Sequence, residues 1–158
     1  MQKITPFLWF DAEAEEAANY YVATFNNSRI VDVVRYGEHG PGPKGTVMTL
    51  TFELEGQRFM ALNGGPHFHF TPAISLYVDC QSQEEVDRLW ARLSTGGEKE
   101  RCGWLVDKFG VSWQIIPKEL GKLLHDAKNP AKAQAVFQAM LQMTKLDVAK
   151  LQEAYDQA

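Results

Sequence analysis

Few residues of this 158-residue chain have the type and spacing that chemistry requires. The most telling is Gln114, a lone amide inside the apolar run Trp113-Gln114-Ile115-Ile116 of Cys102–Pro117, CGWLVDKFGVSWQIIP. Two readings stand for it: a buried glutamine satisfying backbone groups across a sheet, or an amide that donates to and accepts from a ligand. His67 and His69 form an H-x-H pair in NGGPHFHFTP. Alternate residues of an extended segment point the same way, so the pair could reach one ion. No third ligand accompanies it, and the plainer reading is two loop residues, with His67 stacking or hydrogen-bonding at a cavity mouth. His39 lies in a glycine-proline loop and His125 near a helix end; both are expected to be solvated. Cys80 and Cys102 are the only cysteines, each in a strand-like run, and are read as buried free thiols in preference to a disulfide. Cys102 has no assured cationic neighbour to make it reactive. Ser75 and Ser112 lie in strands without an assigned His–Asp relay, so nucleophilic catalysis finds little support. The glycines of 40–45 are interspersed with prolines and do not join a strand to a helix, which argues against a phosphate cradle.

The elements that must position these residues read as follows. Ile4–Phe10 is a strand candidate, and Asp11 is a plausible N-cap for a helix carrying Ala14, Ala17, Ala18, Tyr21, Val22 and Phe25 at helical spacing. Ser28–Tyr36 is a second strand and Gly37–Gly45 a loop. Thr46–Glu55 and Gln57–Asn63 make a hairpin turning at Gly56. The order then restarts. Ala73–Cys80 is a strand, and Ser82 caps a helix with Val86, Leu89, Trp90 and Leu93 on its apolar stripe. Cys102–Pro117 gives two short strands about a turn at Lys108-Phe109-Gly110, where Gly110 supplies the positive φ. The last forty or so residues are helical, with Asn129-Pro130 and Asp147 as start signals, and read as packing or oligomer surface.

A weak internal repeat runs through this order. Leu8-Trp9-Phe10-Asp11 answers to Leu76-Tyr77-Val78-Asp79, Glu15-Glu16-Ala17 to Glu84-Glu85-Val86, and Gly56–Met60 to Gly110–Gln114. Each half reads strand, helix, strands, and the second half lacks a well-formed counterpart of Ser28–Tyr36. Two curved half-sheets of this kind could pair and leave a cupped cavity between them.

Composition narrows the class. The length fits one domain. The formal net charge is −4 and no basic cluster occurs, which argues against a nucleic-acid partner. No apolar run approaches the ~20 residues of a membrane span. The N-terminal stretch turns acidic at once and lacks a small-residue cleavage site, so it does not read as a signal peptide, and the two free thiols lead to the expectation of a reducing cytoplasm.

The motifs PFLWFD, AEEAANYY, FMALNGGP, SQEEVDRLW and CGWLVDKFGVSWQIIP together resemble the PhnB-like, 3-demethylubiquinone-9 3-methyltransferase-like branch of the vicinal oxygen chelate superfamily. Glyoxalase I, extradiol dioxygenases and the fosfomycin and bleomycin resistance proteins belong to the same superfamily. The resemblance covers nearly the whole chain. It implies an α+β fold of paired βαβββ modules, the glyoxalase/bleomycin resistance-like fold, with extra C-terminal helices as the branch's own addition. The modules fall at 1–64 and 65–117, and the helices at 118–158. It implies a homodimer, since similar proteins often complete the cup across two chains.

The superfamily's enzymes typically hold one divalent metal in the cup. Its ligands come from the start of each module's first strand and from a carboxylate four residues past the hairpin glycine. Here those last positions are Met60 and Gln114, and the early ones fall near Ile4–Pro6 and Pro72–Ile74, none of ligand type. The expectation is therefore no metal and no cofactor. By the same register Gln114 and Trp104 face the cup, although Trp104 as plain core is an equal reading. The expected ligand-binding set is Gln114, Trp104, Met60, Asn63 and His67; Asn63, beside Gly64-Gly65, has a turn-stabilising role as its alternative. The function implied is metal-free binding of a small, partly aromatic or apolar molecule. The alternatives are a metal-dependent lyase or dioxygenase, the methyltransferase for which the branch is named, or a purely structural or interaction role. For the last, the chain shows neither a glycine-rich loop for S-adenosylmethionine nor an alternating βαβ order.

Overall fold

The structure, a computed structural model, describes residues 2–158. It is α+β, with two four-stranded mixed sheets and five helices among the described residues. The chain forms two compact units, the first ending at Phe70 and the second running Thr71–Ala158.

In the first unit, strand β1 (Phe7–Phe10) is followed by helix α1 (Ala14–Thr24) and strands β2 (Arg29–Arg35), β3 (Val47–Leu54) and β4 (Gln57–Asn63). The sheet order is β1-β4-β3-β2, with β1 parallel to β4 and the other pairs antiparallel. The β3–β4 hairpin turns through Glu55 and Gly56, both at positive φ, as a tight turn matched to strand twist requires. Helix α1 packs on this sheet, and Leu8, Phe10, Leu50, Phe52, Phe59 and Ala61 are buried along with Ala14, Ala17, Ala18 and Tyr21. The start of α1 differs from the sequence expectation. Asp11 does not cap it; the Ala14 N–H donates to Asn63 Oδ1 at 2.9 Å, a cap delivered from 49 residues away.

The second unit repeats the order with β5 (Ser75–Cys80), α2 (Gln83–Ser94), β6 (Glu98–Lys99), β7 (Trp104–Val106) and β8 (Ser112–Pro117), in the sheet order β5-β8-β7-β6. The counterpart of β2 has shrunk to the two residues of β6. Ser82 does cap α2, its Oγ accepting from the Glu85 N–H at 3.1 Å. Val86, Leu89, Trp90 and Leu93 are buried, as are Leu105, Trp113 and Ile115 on the strands that α2 covers. Three C-terminal helices follow, α3 (Glu119–Leu124), α4 (Pro130–Leu141) and α5 (Val148–Gln157). They close a core of Ile116, Leu120, Leu123, Val136, Leu146 and Leu151. Asp147 caps α5 through the Lys150 N–H at 3.2 Å.

The strand register corrects the repeat. Met60 lies opposite Phe7 and Gln114 opposite Tyr77. With the hairpin glycines aligned, Tyr77 therefore answers to Phe7 and not to Trp9. A slip of two residues keeps every side chain on its own face, so the apolar alternation cannot reveal it.

Candidate functional site

The side of each sheet that its helix leaves uncovered carries Met60 in the first unit and Gln114 and Trp104 in the second. In the second unit, Gln114 pairs with Tyr77 on one flank and Trp104 on the other, so the three form one row across β5, β8 and β7. Directly opposed residues point to the same face, about 5 Å apart. Trp104 and Gln114 are half-buried and Tyr77 is 61% exposed. The next row along the strands is Ser75, Ser112 and Val106. Gln114 Nε2 donates to Ser75 Oγ at 2.9 Å, which orients the amide. Among the described residues its Oε1 accepts nothing. The Tyr77 phenol is held above its ordinary value by partial burial and then by the nearby Asp79 carboxylate, so at neutral pH it is a neutral hydroxyl. Indole, amide, phenol and hydroxyl thus lie within one row and its neighbour. Such a surface accepts a flat apolar group and one or two directed hydrogen bonds.

The position of this row is set by Asp107, whose side chain sequence reasoning passed over. It is 2% exposed. Its Oδ1 accepts from the N–H groups of Phe109 and Val111 at 2.8 and 3.1 Å, and its Oδ2 from Trp113 Nε1 at 2.9 Å. One carboxylate therefore folds the β7–β8 turn and pins a core indole on β8, which fixes how Trp104 meets Gln114. An aspartate at the head of a tight turn was the available signal.

In the first unit, Met60 lies between Phe7 and Thr51, the row matching Tyr77–Gln114–Trp104. Asn63 is occupied elsewhere. Its Oδ1 caps α1 and its Nδ2 donates to Val47 O at 3.3 Å, so both ends of the amide serve the scaffold. The two following glycines complete that arrangement. A Cβ on Gly64 would lie 2.3 Å from the Trp9 indole, and Gly65 O accepts from Trp9 Nε1 at 3.0 Å. Asn63-Gly64-Gly65 is thus a seat for Trp9 and a cap for α1. His67 and His69 are exposed in the loop beyond, where Phe68 meets Trp9 edge-on with ring centres 5.0 Å apart.

Both cysteines are free. Cys80 is buried, and burial first, then the charges of Glu85 and Asp79, push its thiol up from 9.0 to about 12. Cys102 departs from the expectation: it lies in no strand and is only half-buried. It sits in a left-handed turn, φ 61°, directly before Gly103 at φ 83°.

The residues present do not fit a superfamily-type metal. The rows around Met60 and Gln114 offer a thioether and a neutral amide where a carboxylate and imidazoles are wanted. The carboxylate in the Met60 row, Asp32, lies two strands away, about 10 Å. Among the described residues no group of three or more His, Cys, Asp or Glu is placed to hold an ion.

Comparison with known proteins supports the fold and gives the family. The family described as 3-demethylubiquinone-9 3-methyltransferase matches residues 2–116. The PhnB protein of Bacillus cereus is 45% identical over 73% of this chain and 99% of its own, with a TM-score of 0.70. A protein from Pseudomonas aeruginosa shares the fold at 22% identity, covering 75% of this chain and 98% of its own, with a TM-score of 0.64. The fosfomycin resistance protein FosX of Listeria monocytogenes, in a mutant form solved with Mn(II) and a dihydroxypropylphosphonic acid, does so at 15% identity. It covers 72% of this chain and 90% of its own, with a TM-score of 0.51. No curated protein matches the chain.

Proposed function

This chain belongs to the 3-demethylubiquinone-9 3-methyltransferase family, the PhnB-like branch of the vicinal oxygen chelate superfamily, and from that premise we propose that it is a metal-free binder of a small organic molecule. The binding surface is the row Tyr77–Gln114–Trp104 with Ser75 beside it. The observation that carries this reading is the set of the Gln114 amide. Its Nε2 is tied to Ser75 Oγ, which leaves the carbonyl oxygen as an oriented acceptor on a residue paired with Tyr77 on one side and Trp104 on the other. A glutamine serving only the scaffold would have both ends engaged, as Asn63 has.

The ligand class that suits this surface is a planar, largely apolar molecule with a hydroxyl or N–H to give to Gln114. Met60, flanked by Phe7, offers a second, more apolar surface in the first unit, and His67 an exposed imidazole near Trp9 and Phe68. Asn63 is not part of this proposal. A fragment screen followed by the NMR signals of the Gln114 side-chain amide and the Trp104 indole tests it. Aromatic hydroxyl compounds are expected to move both, and Gln114→Leu to weaken them about ten-fold or more, the cost of one lost directed bond. Fragments that bind equally well to Gln114→Leu contradict the assignment.

The family's name favours a second reading, methyl transfer. S-adenosylmethionine titrated into the protein by calorimetry decides it, and a heatless titration removes it. We further propose that the chain acts as a cytoplasmic homodimer. Two free cysteines suit a reducing compartment, and the exposed rings of Phe7 and Tyr77 on sheet-edge strands suit a partner surface. No described helix is long and apolar enough to cross a membrane. Sedimentation velocity tests the dimer, and a monomer at micromolar concentration argues against it.

A further inference from the structure

We propose that the connection Met143–Leu146, between α4 and α5, is the end wall of the Tyr77–Gln114–Trp104 surface and sets where Trp104 stands, so that it limits the length of ligand accepted. This rests on the binding reading above and adds a residue-level determinant of specificity.

The open face of β8 runs Ser112, Gln114, Ile116. In one direction from Gln114 the surface continues through the half-buried Ser75 and Val106, which flank a buried Ser112. In the other it stops: Ile116, about 7 Å further along the strand, is 4% exposed because it is packed among Leu120, Leu123, Val136, Leu146 and Leu151. A ligand anchored at Gln114 therefore meets a closed apolar end at Ile116, which the fully buried Leu146 backs from within the core.

The same connection holds the turn that launches Trp104. The N–H groups of Cys102 and Gly103 donate to the carbonyls of Met143 and Thr144 at 2.9 and 2.8 Å. Two successive left-handed residues, one of them with a Cβ, are disfavoured on their own, and these bonds hold them. Space is tight there as well. A Cβ on Gly103 would come within 3.0 Å of both Ile116 Cδ1 and Leu146 Cδ1. From the far side Gln83 ties the connection down: its Nε2 donates to Leu146 O at 3.0 Å and its Oε1 accepts from the Val148 N–H at 2.8 Å. Lys145 adds an ion pair with Asp87 at 2.8 Å. The family match ends at residue 116, so this wall lies outside the matched part of the chain.

The test uses the full chain labelled with 5-fluorotryptophan, the Trp104 resonance being assigned by Trp104→Phe, and a series of para-alkylphenols from cresol to heptylphenol as probes. The wild type is expected to bind short members best and to lose affinity as the alkyl chain lengthens. Leu146→Ala is expected to move the Trp104 resonance and to shift the optimum to longer chains, gaining about four-fold per accommodated methylene. Leu123→Ala trims the same core away from Gly103 and should do neither. Leu146→Val supplies the same comparison if the alanine variant does not fold. An unchanged length profile in the Leu146 variants overturns the wall. A Trp104 resonance that stays put in them, or that moves equally in Leu123→Ala, overturns the positioning role. If no phenol binds the wild type, the binding reading and the length limit fail together, and the Trp104 resonance alone decides the positioning role.

Discussion

Replacing Asp107 with alanine should cost the second unit more than any other single change at the candidate site. The side chain serves three donors, and two of them, the Val111 N–H and Trp113 Nε1–H, are buried where water cannot replace the carboxylate. Each orphaned buried donor costs about 1–3 kcal/mol, which puts Asp107→Ala at about 2–6 kcal/mol. That is a large part of the ~5–15 kcal/mol by which a domain is normally stable. With a urea slope of about 2 kcal/mol per molar, the midpoint should fall by on the order of 2 M. Asp107→Asn separates geometry from charge. Its carbonyl oxygen can still accept from Phe109 and Val111, but its NH2 then faces the Trp113 N–H, donor against donor. It should lie between wild type and alanine, at about 1–3 kcal/mol. Urea unfolding followed by tryptophan fluorescence measures both. An alanine variant within ~0.5 kcal/mol of wild type, the range of an ordinary surface change, would refute the account of the turn. So would an asparagine variant as damaged as the alanine one.

Other changes follow from the same geometry. Gly64→Ala must displace the Trp9 ring and break its bond to Gly65 O, an overpacking cost of about 1–3 kcal/mol measurable by thermal melting. Gly121→Ala, inside α3 where an added Cβ meets nothing, should instead stabilise by about 0.5–1 kcal/mol in the same assay. The Cys80 thiol should resist a thiol-exchange reagent at pH 8 that labels the unfolded chain at both cysteines. Because folding raises this group from 9.0 to about 12, the folded state keeps its proton while the unfolded chain loses it. Its contribution to stability is full below pH 9 and is lost as pH rises toward 12, which a pH series of unfolding midpoints reads; a flat series across that window contradicts it.

What the sequence made legible was what depends on near neighbours. Ser82 and Asp147 bond backbone three residues on, and the hairpin turns at Gly56 and Gly110 need only a positive φ, so local rules found all four. Asn63 capping α1 from 49 residues away has no local signature, and Asp11, correctly typed and nearly in place, drew the assignment instead. Cys102 reads as strand because the apolar run Trp104-Leu105-Val106 follows it closely; the carbonyls that bend it come from Met143 and Thr144, which nothing nearby announces. Gln114 was found because an amide interrupts an apolar run, but its partners Ser75 and Tyr77 depend on how β5 pairs with β8, which the alternation leaves free by two residues. The two-residue β6 is too short to carry any pattern.

On the proposed reading this surface recognises organic molecules without an ion. Equilibrium dialysis of the full chain against Mn(II), Zn(II), Ni(II) and Fe(II), followed by elemental analysis, puts that to the test. Bound metal well below stoichiometric in every case is the expected outcome. An ion held one per chain, and released by Gln114→Ala, would contradict the account.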